Sequence, residues 1–432
     1  VPYCQSARPV QFMDTATCLV DSSETATLPF LQWRGQAAAG TREPGGRPGL
    51  YSGSRSPPVP ANAPVSMSPL PTVGARPDER IPVALLGATG TVGARLAQRL
   101  TDHPWFELVE VAASERSEGS RLGDRVASDA ALDPRVAGLT LRSPTDSFRS
   151  HLVLSALPSG AARTVEAELA ARGHLVVSNA SAYRDDPRVP LIVPEVNADH
   201  LALLDVVREP AAGETVPAPG GGIVTNPNCA VAGLMPALAP LHHRFGIECL
   251  VVTTLQAISG AGRPGPSAID LVDNVVPYIG GEEDKIAAEP AKVLGRIEGD
   301  RIVPVPLPVS ATATRVPVLH GHLESVSVQL SARASPDDAR EAWNDFRAPQ
   351  AVAQLPSSPE RVVEVADHPD RPQPRLDRDR GSGMTVTVGR IRPCPIHTLR
   401  FLVLSHNLER GAAGAAILNA ELAVADGRVR SQ

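Results

Sequence analysis

Ile81–Leu86 is a short apolar run that leads directly into Gly87-Ala88-Thr89-Gly90-Thr91-Val92-Gly93, followed by a helix-patterned stretch to Leu100. A G-x-x-G-x-x-G turn between a strand and a helix constrains a fold more than any other feature of this chain. It gathers backbone N–H groups at the positive end of a helix, where a pyrophosphate can be received. Its bland alternative is a glycine-rich turn in an unrelated α/β protein. The context extends downstream, with strand candidates at Leu108–Ala113, Leu152–Leu157 and His174–Ser178 and a helix at Ala161–Arg172. Strands alternating with helices spell βαβ units and a parallel sheet.

After Cys229 the pattern changes. Leu250–Ile258 is a β-branched run, Val316–Leu330 contains the period-two stretch Val326–Leu330, and Met384–Ile391 and Leu399–Leu404 add further strands. Ser335-Pro336-Asp337-Asp338 is a helix start, with a capping Ser, a first-turn Pro and acids behind it. The fold class read from this order is α/β: a Rossmann-type first domain, then an α+β domain with a largely antiparallel sheet. A small-residue helix over Gly411–Val424 is expected to return to the first domain.

Composition removes other classes. A net charge of −6 with no basic block leaves no electrostatic footprint for nucleic acid. No stretch approaches the eighteen or so consecutive apolar residues of a membrane span. Cys4, Cys18, Cys229, Cys249 and Cys394 are odd in number and scattered, which argues against a disulfide framework or a structural metal site and for a reducing, cytoplasmic location. Pro, Gly and Ser fill 27 of the first 80 positions, so residues 1–80 are expected to be a disordered extension, an over-extended reading-frame start or a transit segment.

Three places carry chemistry. After the second strand, Ser114-Glu115-Arg116-Ser117 sets an acid suited to the ribose hydroxyls of NAD against an Arg and hydroxyls suited to the 2′-phosphate of NADP, and the Ser-x-Arg-Ser grouping tips the balance to NADP. Cys229, in Thr225-Asn-Pro-Asn-Cys-Ala-Val-Ala-Gly233, falls at a helix start, a position expected to lower the thiol pKa and to offer N–H groups to an oxyanion. Pro236 is expected to kink or shorten that helix. Cys249 reads as inert core, and Cys394 stands between two prolines without an activating partner. Among the 11 histidines, His322 lies seven residues after Arg315 on one extended stretch, with His320 as its competitor. Spacing does not choose between them.

These blocks, with LSALPSG, SNASAYR, PLIVPEVN, LQAISGAGRPG, DNVVPYIGGEEDKI, RVPVLHGHLESVSV, RPQPRLDR and LSHNLERGAAGAAILNAEL, resemble the aspartate-β-semialdehyde dehydrogenase family, specifically its archaeal and fungal type, from about residue 81 to 425. The resemblance implies an NADP-binding Rossmann domain over 81–228, completed by a C-terminal helix at 407–432, and a catalytic and dimerisation domain over 229–406. It implies NADPH-dependent reduction of L-aspartyl 4-phosphate to the 4-semialdehyde, with small-molecule partners only and a homodimer or homotetramer. It places the nucleophile on Cys229, the acid/base on His322 and not His320, and the acyl-orienting amide on Gln256. Arg315 would hold the substrate carboxylate, Glu282 would face its amino group with Asn228 beside it, and Arg184 and Lys285 would bind phosphate. Gly87, Thr89, Gly90, Thr91, Val92, Gly93, Ser114, Arg116, Ser117, Ser155, Ser259, Gly260, Gly262 and Asn407 would face NADP(H).

Residues 209–222 diverge from the family, and His320 stands where a smaller or acidic residue is expected. Rival readings are N-acetyl-γ-glutamyl-phosphate reductase, which would carry Pro-Gly-Cys-Tyr at the catalytic turn; a malonyl-CoA reductase, which would have no use for Glu282; and an inactive structural or regulatory homologue. One further feature bears on the site. Of 41 basic residues only Lys285 and Lys292 are lysines, a GC-rich-genome bias in which a lysine retained at the phosphate position is suggestive and the second lysine reads as chance.

Overall fold

The computed structural model describes residues 77, 79–127, 131–206 and 217–429. Most of the expected extension and much of the divergent 209–222 stretch lie outside them. The first sheet is built from β1 (Ile81–Leu86), β2 (Phe106–Ala112), β3 (Leu141–Arg142), β4 (Leu152–Ser155), β5 (Leu175–Ser178) and β6 (Gly222–Thr225). Its strands are all parallel in the order β3-β2-β1-β4-β5-β6. A parallel strand covered on both faces needs a near-continuous apolar run. In β1, Ile81, Val83 and Leu85 pack into one core and Ala84 and Leu86 into another.

Helix α1 (Thr91–Leu100) covers one face, through Leu96, Ala97 and Leu100, and α2 (Ser159–Ala171) the other, through Ala162, Val165 and Leu169. Alongside α1 lies the last helix of the chain, which brings Ile417, Leu418 and Leu422 into the same core. The Rossmann-type parallel sheet expected from the strand–turn–helix pattern is therefore present.

Helix α3 (Cys229–Phe245) leaves β6 and runs into the second core with every residue from Ala230 to Leu241 buried. Pro236 and Pro240 lie inside it and the helix runs past both to Phe245, so the early stop does not occur. Burial on all sides outweighs the local cost of two prolines, since tertiary packing contributes more to a helix than propensity does. The second sheet orders its strands β10-β7-β11-β14-β13-β12, where β7 is Ile247–Gln256, β10 Val309–Arg315, β11 His322–Leu330, β12 Val363–Ala366, β13 Val386–Pro393 and β14 Leu399–Ser405. A small hairpin, β8 (Arg296–Glu298) with β9 (Arg301–Val303), lies apart.

Pairs β7–β11, β11–β14 and β13–β14 are antiparallel, and only the outer strands β10 and β12 join in parallel. The sheet is thus largely antiparallel, as expected. Strand β10 escaped the sequence reading because its Ser-Ala-Thr-Ala-Thr run carries no large apolar residue. The remaining long helices are α4 (Glu282–Val293), α5 (Pro336–Asp345), whose Ser335–Asp338 capping box forms as read, and α6 (Gly414–Ala425), entered through a π-helical turn at Glu409–Ala413. No helix among the described residues is long and apolar enough to cross a membrane.

The glycine turn is close-packed against itself. A Cβ on Gly93 would lie 2.1 Å from the Gly87 carbonyl oxygen, whereas one on Gly160 in α2 would meet nothing within 4 Å. Gly93→Ala should therefore cost about 1–3 kcal/mol, and Gly160→Ala should be neutral or stabilising by a fraction of that. Thermal denaturation checks the pair, and equal effects would contradict the packing described.

Candidate active site

Strand register gathers the site at one edge of the second sheet. Parallel pairing sets Arg315, the last residue of β10, beside Gln256, the last of β7. Antiparallel β11 begins there at His322, opposite Ser405 at the end of β14. Onto this edge comes the start of α3. Asn228 caps it, its Oδ1 accepting the Ala230 N–H at 2.9 Å, and Cys229 Sγ stands 3.2 Å from His322 Nε2. A Cβ on Gly411 would lie 2.7 Å from that of Cys229, so only glycine lets the π-helical turn rest on the cysteine.

The ring of His322 is fully buried, and its Nδ1 accepts the Ala257 N–H at 3.1 Å. A neutral imidazole held this way carries its proton on Nε2, the atom facing sulfur. The carbonyl of the same Ala257 accepts Arg315 Nη1 at 2.7 Å, so one alanine orients both side chains. Burial, reinforced by the Arg315 charge, presses the imidazole down to about 3.

Cys229 departs from expectation. Burial first, and the Glu282 carboxylate second, push its thiol up to about 12, against the opposing pull of Arg184, Arg315 and the helix start. A helix N-terminus alone does not overcome desolvation beside a carboxylate.

Glu282 opens α4 and anchors the polar wall. Its Oε1 accepts Lys285 Nζ at 2.9 Å, and its Oε2 accepts Asn228 Nδ2 at 2.8 Å and Gln256 Nε2 at 3.3 Å. Burial opposes its ionisation, but these donors prevail and hold its pKa below the ordinary carboxylate range. Arg184 approaches from the other side. Its Nη2 donates to the Asn179 carbonyl at 2.7 Å and its Nη1 to Glu289 Oε1 at 3.3 Å, while Nε is enclosed without a partner. Arg184, Lys285, Glu289 and Lys292 line a cavity of about 520 Å³.

A second cavity, of about 330 Å³, is bounded by Thr89, Gly90, Thr91, Ser259, Gly262 and His320. Thr91 Oγ1 is enclosed there without a partner, at the N-terminus of α1, and Gly90 leaves its backbone exposed. Gly87, at φ +70°, packs against the Ala156 main chain, where a Cβ would lie 2.5 Å from the carbonyl oxygen. Asn407 Nδ2 donates to Ser259 Oγ at 2.9 Å, and the same hydroxyl lies 2.9 Å from His320 Nδ1. His320 thus lines this cavity, and His322 is the one beside Cys229. A Cβ on Gly260 would lie 3.1 Å from Arg315 Nη1 and 3.4 Å from His322 Nε2, so glycine suits the close approach of this turn to both side chains. Val92 and Gly93 open α1. Ser155 is buried at the end of β4, and Ser114, Arg116 and Ser117 lie on the turn after β2, outside the lining.

The chain is similar to known proteins along most of its length. Residues 82–204 match the family model for the semialdehyde dehydrogenase NAD-binding domain, and residues 238–410 that for the semialdehyde dehydrogenase dimerisation domain. The aspartate-semialdehyde dehydrogenase of Archaeoglobus fulgidus is 45% identical over 348 residues, 80% of this chain and 98% of the relative. That of Cryptococcus neoformans is 42% identical over 380 residues, 82% of this chain and all of the relative.

The chain belongs to the aspartate-semialdehyde dehydrogenase family. A crystal structure of the Candida albicans family member with NADP superposes with a TM-score of 0.74 at 38% identity, covering 81% of this chain and all of that one. The archaeal and fungal branch expected from the sequence blocks is the one to which these relatives belong.

Several residues that shape the surroundings of Cys229 escaped the sequence reading as functional candidates. Glu289 and Lys292 signal themselves only by their spacing on α4, in register with Lys285. Ala257 acts through its backbone, which no residue type reveals. Cys394, read as lacking a partner, lies 3.3 Å from Ser327 Oγ, and that hydrogen bond holds its thiol below the ordinary value.

A raised thiol pKa has a defined pH signature. In the free protein the Cys229 thiolate should be scarce at neutral pH and grow about tenfold per pH unit through the alkaline range. Iodoacetamide labelling of the Cys229 peptide, followed by mass spectrometry between pH 7 and 9.5, reads this directly. A plateau below pH 8 would show that the thiol is not raised.

Proposed function

We propose that the chain reduces L-aspartyl 4-phosphate to L-aspartate 4-semialdehyde and phosphate through an acyl thioester on Cys229, the step that leads towards lysine, threonine and methionine. The observation that carries this reading is the placing of Cys229 and His322 between two unlike charged walls. Glu282 and Arg315 suit the ammonium and carboxylate of an amino acid. Arg184 and Lys285 suit a phosphate. A malonyl thioester carries no ammonium to exchange with Lys285 at Glu282, so Lys285 would stay held there, which favours an amino-acid substrate over that reading.

The cofactor reading rests on the second cavity. An unpartnered Thr91 hydroxyl and bare glycine backbone at a helix N-terminus fit a pyrophosphate. Thr89, Gly90 and Thr91 would hold it, with Ser259, Gly262 and Asn407 at the end nearer Cys229. When bound, NADPH supplies the hydride that the acyl group accepts.

Every other part falls to the chain's own residues. The substrate ammonium takes the place of Lys285 at Glu282, which frees Nζ for the phosphate and quenches the carboxylate that raises the thiol pKa. His322 presents Nε2–H to sulfur and favours the thiolate, which attacks the acyl carbon. The C–S bond forms, the C–O bond to phosphate breaks, the thiol proton leaves on the phosphate as hydrogen phosphate, and Arg184 and Lys285 take that anion. Gln256 and the backbone N–H groups at the start of α3 face the carbonyl oxygen. Losing one such donor typically costs about 3 kcal/mol of transition-state stabilisation. In the final collapse the Nε2–H steadies sulfur as leaving group. The dimerisation domain is expected to pair two copies.

An oxidative assay tests the reading. With aspartate semialdehyde, NADP and phosphate, the wild type should form NADPH, and omission of phosphate should abolish sustained turnover. Cys229→Ala should lower the rate at least about a thousandfold while NADP binding survives. Sustained phosphate-independent turnover, or normal turnover in the variant, would contradict it.

A further inference from the structure

Lys292 lies two helical turns beyond Lys285 on α4, and only 8% of it is exposed. Its Nζ donates to three main-chain carbonyls, those of Arg184 at 2.8 Å, Asp186 at 2.6 Å and Val189 at 2.8 Å. An ammonium has three donors, so this one is fully used. All three acceptors belong to the segment 184–189, whose first residue is Arg184. The adjacent turn of α4 holds the guanidinium itself, through Glu289 Oε1, while Glu289 Oε2 accepts the Asn228 N–H at 2.5 Å beside Cys229. One helix therefore grips the Arg184 segment, the Arg184 head group and the cysteine turn, and carries Lys285 into the same cavity.

Burying an ammonium is a poor way to gain stability. Apolar residues of similar volume commonly do as well or better, and here burial presses the amine down to about 8. A planar guanidinium cannot direct three donors from one atom to three converging carbonyls. Lysine is the residue this geometry requires, in a chain that otherwise carries arginine at all but one of its basic positions.

We propose that Lys292 is a positioning residue for phosphate binding, its ammonium tying segment 184–189 to α4 and so setting the Arg184 guanidinium opposite Lys285. The inference rests on Arg184 and Lys285 being the phosphate ligands. Lys292 does not touch the phosphate and acts through the place it gives Arg184.

Steady-state kinetics of the full chain in the oxidative direction separate the two ideas. The probes are inorganic phosphate, aspartate semialdehyde and NADP, with wild type, Arg184→Ala, Lys292→Met and Lys292→Ala. Arg184→Ala should raise the KM for phosphate. Lys292→Met should raise the same KM about tenfold and leave that for the semialdehyde near its wild-type value. Added ethylammonium should lower the phosphate KM of Lys292→Ala, a rescue that a merely structural role does not provide.

Should Lys292→Met fail to fold, Lys292→Gln, which keeps two donors, carries the same comparison. A raised phosphate KM in Arg184→Ala with an unchanged one in the Lys292 variants would overturn the inference and leave the phosphate ligands standing. An equal loss across both substrates and kcat in the Lys292 variants, without rescue, would overturn it as well. An unchanged phosphate KM in Arg184→Ala would overturn the ligand reading on which it rests.

Discussion

Cys229 opens a helix that is buried along most of its length, and that burial is the constraint from which the rest of the site follows. A helix enclosed on every side cannot shift along its axis without opening a core, so its first residue is held as firmly as its packing. Around that point the register of the second sheet leaves no freedom either. Arg315 and Gln256 are paired across parallel strands, and His322 begins the antiparallel strand beside them. Gly411 closes the remaining side by direct contact with the cysteine. Cys229, His322, Gln256, Arg315, Glu282 and Lys285 stand on helices and strands and not on loops, which suits a site that must hold a sulfur within hydrogen-bond reach of an imidazole.

The charges of the site are held where stability alone would not put them. The cysteine is pushed up, the histidine beside it down and the buried lysine of α4 down, each chiefly by burial. Isolated, such groups would be costly. Here Glu282, Glu289, Lys285 and Lys292, four residues of a single helix, hold carboxylates and ammoniums against Arg184, Asn228 and Gln256 in one network. A network of this kind is poised to respond to substrate. An incoming ammonium or phosphate replaces a protein partner, and the balance that keeps the thiol protonated changes with it.

Much of this was legible in the sequence where the information is local. The strand, glycine turn and helix from Ile81 to Leu100 lie within one βαβ unit, and the Ser335 cap within four residues, so periodicity and turn chemistry suffice for both. What depends on distant residues was not legible. The start of α3 suggested an acidic thiol, but the carboxylate and the burial that reverse this come from elsewhere in the fold. Pro236 suggested a kinked or shortened helix, and within the enclosing core it runs on to Phe245. Strand β10 is made of small residues that signal nothing until β7 is beside it. Lys292 read as an accident of composition until three carbonyls were found converging on its nitrogen.

The central claim is that sulfur of Cys229 carries the acyl group between phosphate and hydride. Peptide mass spectrometry of the protein, acid-quenched after mixing with aspartate semialdehyde and NADP in the absence of phosphate, tests it most directly. The account predicts an aspartyl thioester on the Cys229 peptide, formed with one burst of NADPH and discharged when phosphate is added. A burst of NADPH with an unmodified Cys229 would contradict it.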